Sequence, residues 1–230
     1  MKLSIIVPVY NEERTVGLAL QRLFNLALPG WEKEILVVDD GSTDNSKVQT
    51  QKAKFQFQNQ NLKLLFHPEN QGKGQAIKTG LKEAAGDYVI IQDADAEYDP
   101  KDIPVLLAAA QTKNAPVVYG SRNIHPRRSG YPHYVLGVWV LTTLTNFLYH
   151  SNLTDVYTGY KLFRTSVLRS LNLQSQGFEF EAEVTAKLLK RGIPIVEVAI
   201  DYSPRRFAEG KKIRFRDALL GFWTILKNRL

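Results

Sequence analysis

The feature that most constrains this chain is an alternation in its first half, where short β-branched runs are each followed by a segment with helical spacing. Leu3-Ser4-Ile5-Ile6-Val7, Glu34-Ile35-Leu36-Val37-Val38, Leu62-Lys63-Leu64-Leu65-Phe66 and Asp87-Tyr88-Val89-Ile90-Ile91 have the length and composition of buried strands. Between them, Thr15 to Leu26 places Val16, Leu20, Leu23 and Phe24 at helical spacing. A second helix, capped by Asp44 or Ser42, runs to about Lys54, and a third spans Gly74 to Ala85. Strand–helix–strand units of this length require right-handed crossovers and a parallel sheet. The pattern predicts an α/β, Rossmann-like chain with a mostly parallel central sheet flanked by helices.

Ligands of open parallel sheets sit beyond the carboxyl ends of the strands. Three such ends carry Pro8-Val9-Tyr10-Asn11-Glu12, Asp39-Asp40 and Asp93-Ala94-Asp95. Helix capping accounts for one acidic residue at such a junction. It does not account for two acidic clusters on one rim. Asp93 and Asp95, placed where the backbone turns after Val89-Ile90-Ile91, are hard oxygen ligands suited to Mg²⁺ or Mn²⁺. These cations typically complete their shell with water and substrate phosphates, and a bound one offsets charge on a leaving diphosphate.

The second half continues the alternation less regularly. A helix from Asp102 to Gln111 leads to a strand at Pro116-Val117-Val118-Tyr119-Gly120, and Ser121-Arg122 opens an irregular stretch from Asn123 to His133. A helix through Leu148, a strand at Tyr160-Lys161-Leu162-Phe163, a helix from about Glu179 to Arg191 and a strand from Ile195 to Ile200 follow. No repeat, low-complexity linker or composition break marks a boundary, so the 230 residues are expected to form one domain.

The net charge of +7 calls for an anionic partner: nucleic acid, a phosphorylated substrate or anionic lipid. The absence of cysteine excludes disulfides, thiolate metal sites and cysteine nucleophiles, and suits a reducing cytoplasm. The four histidines, His67, His125, His133 and His150, lack metal-ligand spacing. Met1 to Val7 lacks the regions of a signal peptide, and no run approaches the ~20 apolar residues that span a bilayer. Gly72-Lys73-Gly74 is neither a P-loop nor a dinucleotide fingerprint, which disfavours a Rossmann dehydrogenase.

Taken together, Val7-Pro8-Val9-Tyr10-Asn11-Glu12, Val37-Val38-Asp39-Asp40-Gly41-Ser42-Thr43-Asp44, Asn70-Gln71-Gly72-Lys73-Gly74 and Asp93-Ala94-Asp95 resemble the successive motifs of family 2 glycosyltransferases with the GT-A fold. Gly120-Ser121-Arg122, the run Thr154 to Arg164 and Asp201-Tyr202-Ser203-Pro204-Arg205-Arg206 are similar to the dolichyl-phosphate mannose synthase and polyprenyl-phosphate glycosyltransferase branch. The resemblance covers essentially the whole chain. It implies a nucleotide-binding half over about 1–121 and an acceptor half over about 122–230.

It also implies roles. Pro8, Tyr10, Glu12, Val38 and Ala94 would line the donor pocket, with Asp40 accepting a hydrogen bond from the base. Asp93 and Asp95 would bind the metal and the sugar-nucleotide phosphates, and Lys73 would add positive potential. Arg206 and Lys212 would close over the donor, while Arg122 and one of Arg127 or Arg128 would hold an acceptor lipid phosphate. Asp93, Asp95 and Arg122 are the expected catalytic set.

A sugar hydroxyl acceptor needs a general base, for which Asp155 and Glu181 are the reserve candidates. A phosphate monoester is already mostly dianionic at neutral pH, its second pKa lying near ~6. The Gln-x-x-Arg-Trp motif of processive polysaccharide synthases is absent. These points favour a lipid phosphate acceptor, and the resemblance then implies metal-dependent inverting transfer of a hexose, mannose or glucose, from GDP- or UDP-sugar to a polyprenyl or dolichyl phosphate. A sugar or protein hydroxyl acceptor is the alternative, and a noncatalytic nucleic-acid-binding protein a remote one, since no nucleic-acid motif is present.

Val135 to Tyr149 is apolar apart from a stripe including Thr142, Asn146 and Tyr149. The end of the chain spaces Phe215, Leu219, Phe222, Trp223, Leu226 and Leu230 helically among basic residues. Such helices either lie in a membrane interface or pack on a core. The expectation is peripheral contact at the cytoplasmic membrane face, or attachment through a membrane partner subunit.

Overall fold

A computed structural model of the chain describes residues 1–57, 61–124, 132–205 and 215–230. The first half forms β1 (Lys2–Val9), α1 (Val16–Asn25), β2 (Glu32–Asp39), α2 (Ser46–Phe57), β3 (Leu62–Phe66), α3 (Lys73–Glu83) and β4 (Tyr88–Ile91). The second forms α4 (Ile103–Thr112) after a 3₁₀ turn, β5 (Val117–Ser121), α5 (Pro132–Tyr149), β6 (Lys161–Arg164), α6 (Thr165–Ser170), α7 (Phe180–Lys190), β7 (Val196–Ala199) and α8 (Phe215–Arg229). Helix α6 was not expected, because six residues are too short for a helical period to show.

One seven-stranded sheet, ordered β3-β2-β1-β4-β6-β5-β7, runs through the described residues. β1 pairs in parallel with β2 and β4, matching Ile5 with Ile35 and with Ile90, and β2 pairs in parallel with β3. β6 alone is antiparallel to its neighbours, β4 and β5. Two reversals restore direction, so β5 ends on the same rim as β1, β2 and β4. That geometry brings Arg122 to the side of the sheet that carries Asp93.

Alternation along the strands sorts the core into two layers. Ile5, Val7, Ile35, Val37 and Ile90 pack with Leu20, Leu23, Leu106 and Leu107 of α1 and α4 on one face. Ile6, Leu36, Val89 and Ile91 pack with Ile77 of α3 and with Phe180, Val184 and Leu188 of α7 on the other. Helices cover both faces, which is why the strands read as continuous apolar runs rather than half-polar ones.

Helices α5 and α8 break the usual sidedness. In α5 the polar residues turn inward: Thr142 and Thr145 are buried beside Leu141 and Tyr149, while Val135, Leu136, Trp139, Val140 and Phe147 are exposed. Asn146 explains the inversion, since its side chain serves the backbone of the next loop. Its Nδ2 donates to the Leu153 carbonyl at 2.8 Å and its Oδ1 accepts from the Leu153 N–H at 3.0 Å. In α8, Gly221 and Ile225 face the core and Tyr149 donates to the Ile225 carbonyl at 2.9 Å. The expected apolar stripe at Leu219, Phe222 and Trp223 faces outward.

Candidate active site

Asp93-Ala94-Asp95 follows β4 directly, as expected. Ala96 adopts φ 60°, a left-handed turn that few alanines take, and this lets Asp95 Oδ1 accept from the Glu97 N–H at 3.1 Å. Gly159 leaves room for the other carboxylate, because a Cβ there would stand 2.7 Å from Asp93 Oδ2. Both aspartates are ion-paired. The Lys73 ammonium lies 2.8 Å from Asp93 Oδ1 and donates to Oδ2 at 3.0 Å.

Asp95 takes its partner from far along the sequence. The segment after β7 runs against the Glu97 turn: Tyr98 and Tyr202 form a β-bridge, and the Ser203 N–H donates to the Glu97 carbonyl at 3.0 Å. This delivers Arg205, whose Nη2 donates to Asp95 Oδ2 at 2.9 Å and to Glu12 Oε1 at 3.1 Å, while Nη1 donates to Glu12 Oε2 at 2.9 Å. One guanidinium therefore binds carboxylates from the ends of β1 and β4. Sequence reasoning assigned Arg206 and Lys212 to the donor. These two, with Arg127 and Arg128, lie outside the described residues.

The electrostatics follow from enclosure. Burial, then the neighbouring charges of Asp93 and Glu97, pushes Asp95 up to about 7 against the pull of Arg205. Burial also raises Asp93, and Lys73 opposes the shift. Burial disfavours the charged form of Lys73, but Asp93 and Glu181 outweigh it and hold the ammonium well above the ordinary lysine range. Among the described residues, no three Asp, Glu, His or Cys side chains converge with the spacing of a preformed cation site. Two carboxylates with phosphate oxygens and water are nevertheless a sufficient donor set for a hard divalent ion. Positive charge already stands at both carboxylates, so their surroundings suit a cation.

Other expectations need correction. Asp40 is 2% exposed and works for the chain itself. Its Oδ2 accepts from the Gly72 N–H at 2.8 Å, and its Oδ1 accepts from the Gln71 N–H at 3.0 Å and lies 2.6 Å from His67 Nδ1. A loop folding back onto β2 thus takes the carboxylate that the resemblance assigned to a nucleobase. The side chains of Val38 and Ala94 are also buried, leaving no side-chain surface there for a ligand. Gly72, at φ 96°, and Gly74 admit the chain's own residues 175–177, since a Cβ at either would meet backbone of Gln176 within 3.0 Å. Pro8 and Tyr10 are partly exposed, near Glu12 in the chain.

Arg122 follows β5 and meets Asp155 in a two-pronged pair, Nε to Oδ2 at 2.6 Å and Nη2 to Oδ1 at 2.8 Å. Asp155 is fully buried and is fixed by Glu197, which accepts its N–H at 3.0 Å. The guanidinium carbon sits 5.0 Å from the centre of the Tyr202 ring, whose hydroxyl donates to Glu97 at 2.7 Å. Tyr202 leans on Tyr98, which stacks on Tyr160 at 5.3 Å. This aromatic floor joins Arg122 to the carboxylate cluster. Sequence reasoning missed Glu97 and Tyr98, and it placed Arg205, Tyr160 and Tyr202 in motifs without giving them a role; only the position of Glu97, two residues past Asp95, offered a local signal.

The model of glycosyl transferase family 2 matches residues 4–171. The chain belongs to family 2 of the glycosyltransferases. An undecaprenyl-phosphate mannosyltransferase of Micrococcus luteus is 31% identical over 221 residues, covering 92% of this chain and 87% of the relative. A low-salt glycan biosynthesis hexosyltransferase of Haloferax volcanii is 26% identical over 88% of this chain, which spans 48% of that protein. The solved glucosyl-3-phosphoglycerate synthase from Mycobacterium tuberculosis, in complex with Mn²⁺, UDP and glucosyl-3-phosphoglycerate, superposes with a TM-score of 0.75 at 19% identity. That match covers 99% of this glycosyltransferase and 79% of the synthase chain, and it shows the GT-A fold.

Proposed function

We propose that this glycosyltransferase moves a hexose, mannose or glucose, from GDP- or UDP-sugar to a polyprenyl phosphate, with inversion at the anomeric carbon. The observation that carries the donor side is the enclosed cluster Glu12, Asp93, Asp95 and Glu97, whose four carboxyl groups share only two cations among the described residues, Lys73 and Arg205. A sugar nucleotide lies across this rim. Asp93 and Asp95 hold Mg²⁺ or Mn²⁺, which when bound withdraws charge from the diphosphate. Pro8, Tyr10 and backbone at Val38 and Ala94 border the nucleotide, and Lys73 adds positive charge. The nucleotide half is about 1–121 and the acceptor half about 122–230, with Arg206 and Lys212 closing over the donor.

On the acceptor side, Arg122 meets the phosphate, with Arg127 or Arg128 as its companion. Asp155 holds the Arg122 fork in place, leaving one guanidinium nitrogen outside that pair. A phosphate oxygen attacks C1 of the sugar, the bond from C1 to the diphosphate oxygen breaks, and the nucleotide leaves with the electron pair. No proton has to be removed from a phosphate dianion. Both reserve bases are engaged as counter-ions, Asp155 with Arg122 and Glu181 with Lys161 and Lys73, which favours this route over a hydroxyl acceptor. The similarity to the undecaprenyl-phosphate mannosyltransferase of Micrococcus luteus supports the same acceptor.

Membrane-surface contact fits the outward apolar faces of α5 and α8, where Trp139 and Trp223 are more than half exposed. No helix among the described residues is long and apolar enough to cross a membrane. Our reading places the contact in the interface at the cytoplasmic face, directly or beside a membrane subunit. Labelled GDP- and UDP-sugars offered with detergent-solubilised polyprenyl phosphate and, separately, with soluble sugar acceptors test the proposal. Label in the lipid is expected; label only in soluble sugar would overturn it.

A further inference from the structure

Behind Asp93 and Lys73 lie two buried charges, Lys161 and Glu181, that take no direct part in the proposed reaction. Lys161 on β6 is wholly enclosed, with its ammonium donating to Glu181 Oε2 and to the Thr158 carbonyl and lying 4.8 Å from the centre of the Tyr119 ring. Glu181 opens α7, and its side chain is 6% exposed. Its Oε1 lies 3.3 Å from the Lys73 ammonium, yet makes no hydrogen bond. Lys73 spends its hydrogen bonding on Asp93 instead. Signs alternate from Lys161 through Glu181 and Lys73 to Asp93, and the only acceptor left open is the one facing Lys73.

A buried carboxylate oxygen without a hydrogen bond is unfavourable and rare. At 3.3 Å Glu181 Oε1 is already an ion-pair partner of the Lys73 ammonium, and a hydrogen bond would form between them if Asp93 turned to another cation. A divalent ion at Asp93 would repel the ammonium beside it, and an enclosed ammonium without a carboxylate is strongly disfavoured. Glu181 Oε1 is within a short swing of the flexible lysine tip. Lys161 fixes the opposite oxygen, so the carboxylate cannot turn away.

We propose that Glu181 is a positioning residue of the donor site: its open Oε1 receives the Lys73 ammonium when Asp93 engages the divalent cation. Lys161 holds Glu181 in place for that exchange. The inference rests on the assignment of Asp93 and Asp95 to the cation, but concerns residues to which that assignment gives no task. Glu181 acts through Lys73 and does not touch the donor.

The test is a titration of the full chain with Mn²⁺ alone, reading free Mn²⁺ by electron paramagnetic resonance, so that turnover plays no part. Wild-type binding that disappears in Asp95→Ala establishes the cation site; binding that is absent, or unchanged in Asp95→Ala, sinks that assignment and the inference with it. Given a site, Glu181→Gln is expected to weaken Mn²⁺ binding about tenfold, the scale of coupling between residues in one charge network. In a Lys73→Met background the same change should shift affinity less than about twofold, because no ammonium needs the acceptor. Equal weakening in both backgrounds would overturn the inference, since Glu181 would then act on the cation or the fold without Lys73. If Glu181→Gln alone unfolds by stranding Lys161, the paired variant Lys161→Met with Glu181→Gln carries the same cycle.

Discussion

The rim at the strand ends and the outer face of α5 and α8 treat water in opposite ways. On the rim, charged groups are drawn in and paired: Asp93 with Lys73, and Asp95 and Glu12 with Arg205. On the helical face, Leu136, Trp139, Phe147 and Trp223 stand in solvent while Thr142, Thr145 and Asn146 of the same region turn inward. The first arrangement encloses ion pairs that can be exchanged for other ion pairs. The second leaves an apolar surface in water. The proposed transfer from a water-soluble donor to a lipid would draw on both.

Substitutions that leave one region intact while altering the other break the comparison most sharply. Asp95→Asn is expected to reduce transfer on the order of 10³-fold, as loss of a charge-stabilising group does, without affecting binding to lipid vesicles. Initial rates with labelled donor and vesicle co-sedimentation measure the two effects. Arg122→Lys keeps the charge but loses the fork held by Asp155, so the rate with polyprenyl phosphate should fall about 10²-fold. Donor affinity, followed by calorimetry, should stay near wild type.

Gly159→Ala sharpens the donor side. The added methyl would crowd Asp93 Oδ2 at 2.7 Å, and a drop of about tenfold in Mn²⁺-dependent nucleotide affinity is expected with little change in melting temperature. The pH dependence tests the same enclosure. Asp95, raised to about 7, binds a proton over the range where the unfolded chain has lost it, so the stability it contributes is present below about 4 and is lost as pH rises through 7. A cation competes with that proton. Metal affinity should therefore climb up to about tenfold per pH unit below 7 and level off above, a slope absent in Asp95→Asn. On the helical face, Trp139→Glu or Trp223→Glu should weaken vesicle binding several-fold, with donor affinity unchanged.

The alternation of strands and helices and the place of Asp93 and Asp95 were legible because both depend on local pattern: apolar runs of strand length, broken by acids where a parallel strand ends. The order of the strands and the antiparallel β6 were not. What remained hidden depends on distant contacts. Nothing near Arg205 distinguishes it from Arg206; only the bridge between Tyr98 and Tyr202 turns it toward Asp95. Asp40 was misassigned because its partners come from a loop that folds back from Gln71 and Gly72. At Gly72 and Gly74 the close neighbour is the chain's own backbone at Gln176, which no local pattern around Lys73 announced. In α5 the polar stripe was visible, but its direction was set by the carbonyl and N–H of Leu153, which an amphipathic pattern does not report.

The account stands on a phosphate as nucleophile, met by Arg122 without a general base. The most direct measurement compares polyprenyl phosphate with the corresponding polyprenol, at equal concentration in the same detergent, using labelled sugar nucleotide and Mg²⁺ or Mn²⁺. Labelled lipid is predicted from the phosphate alone, with the sugar linked through phosphate and inverted at C1. Equal labelling of the free alcohol would contradict it, because a hydroxyl acceptor needs a base to take its proton.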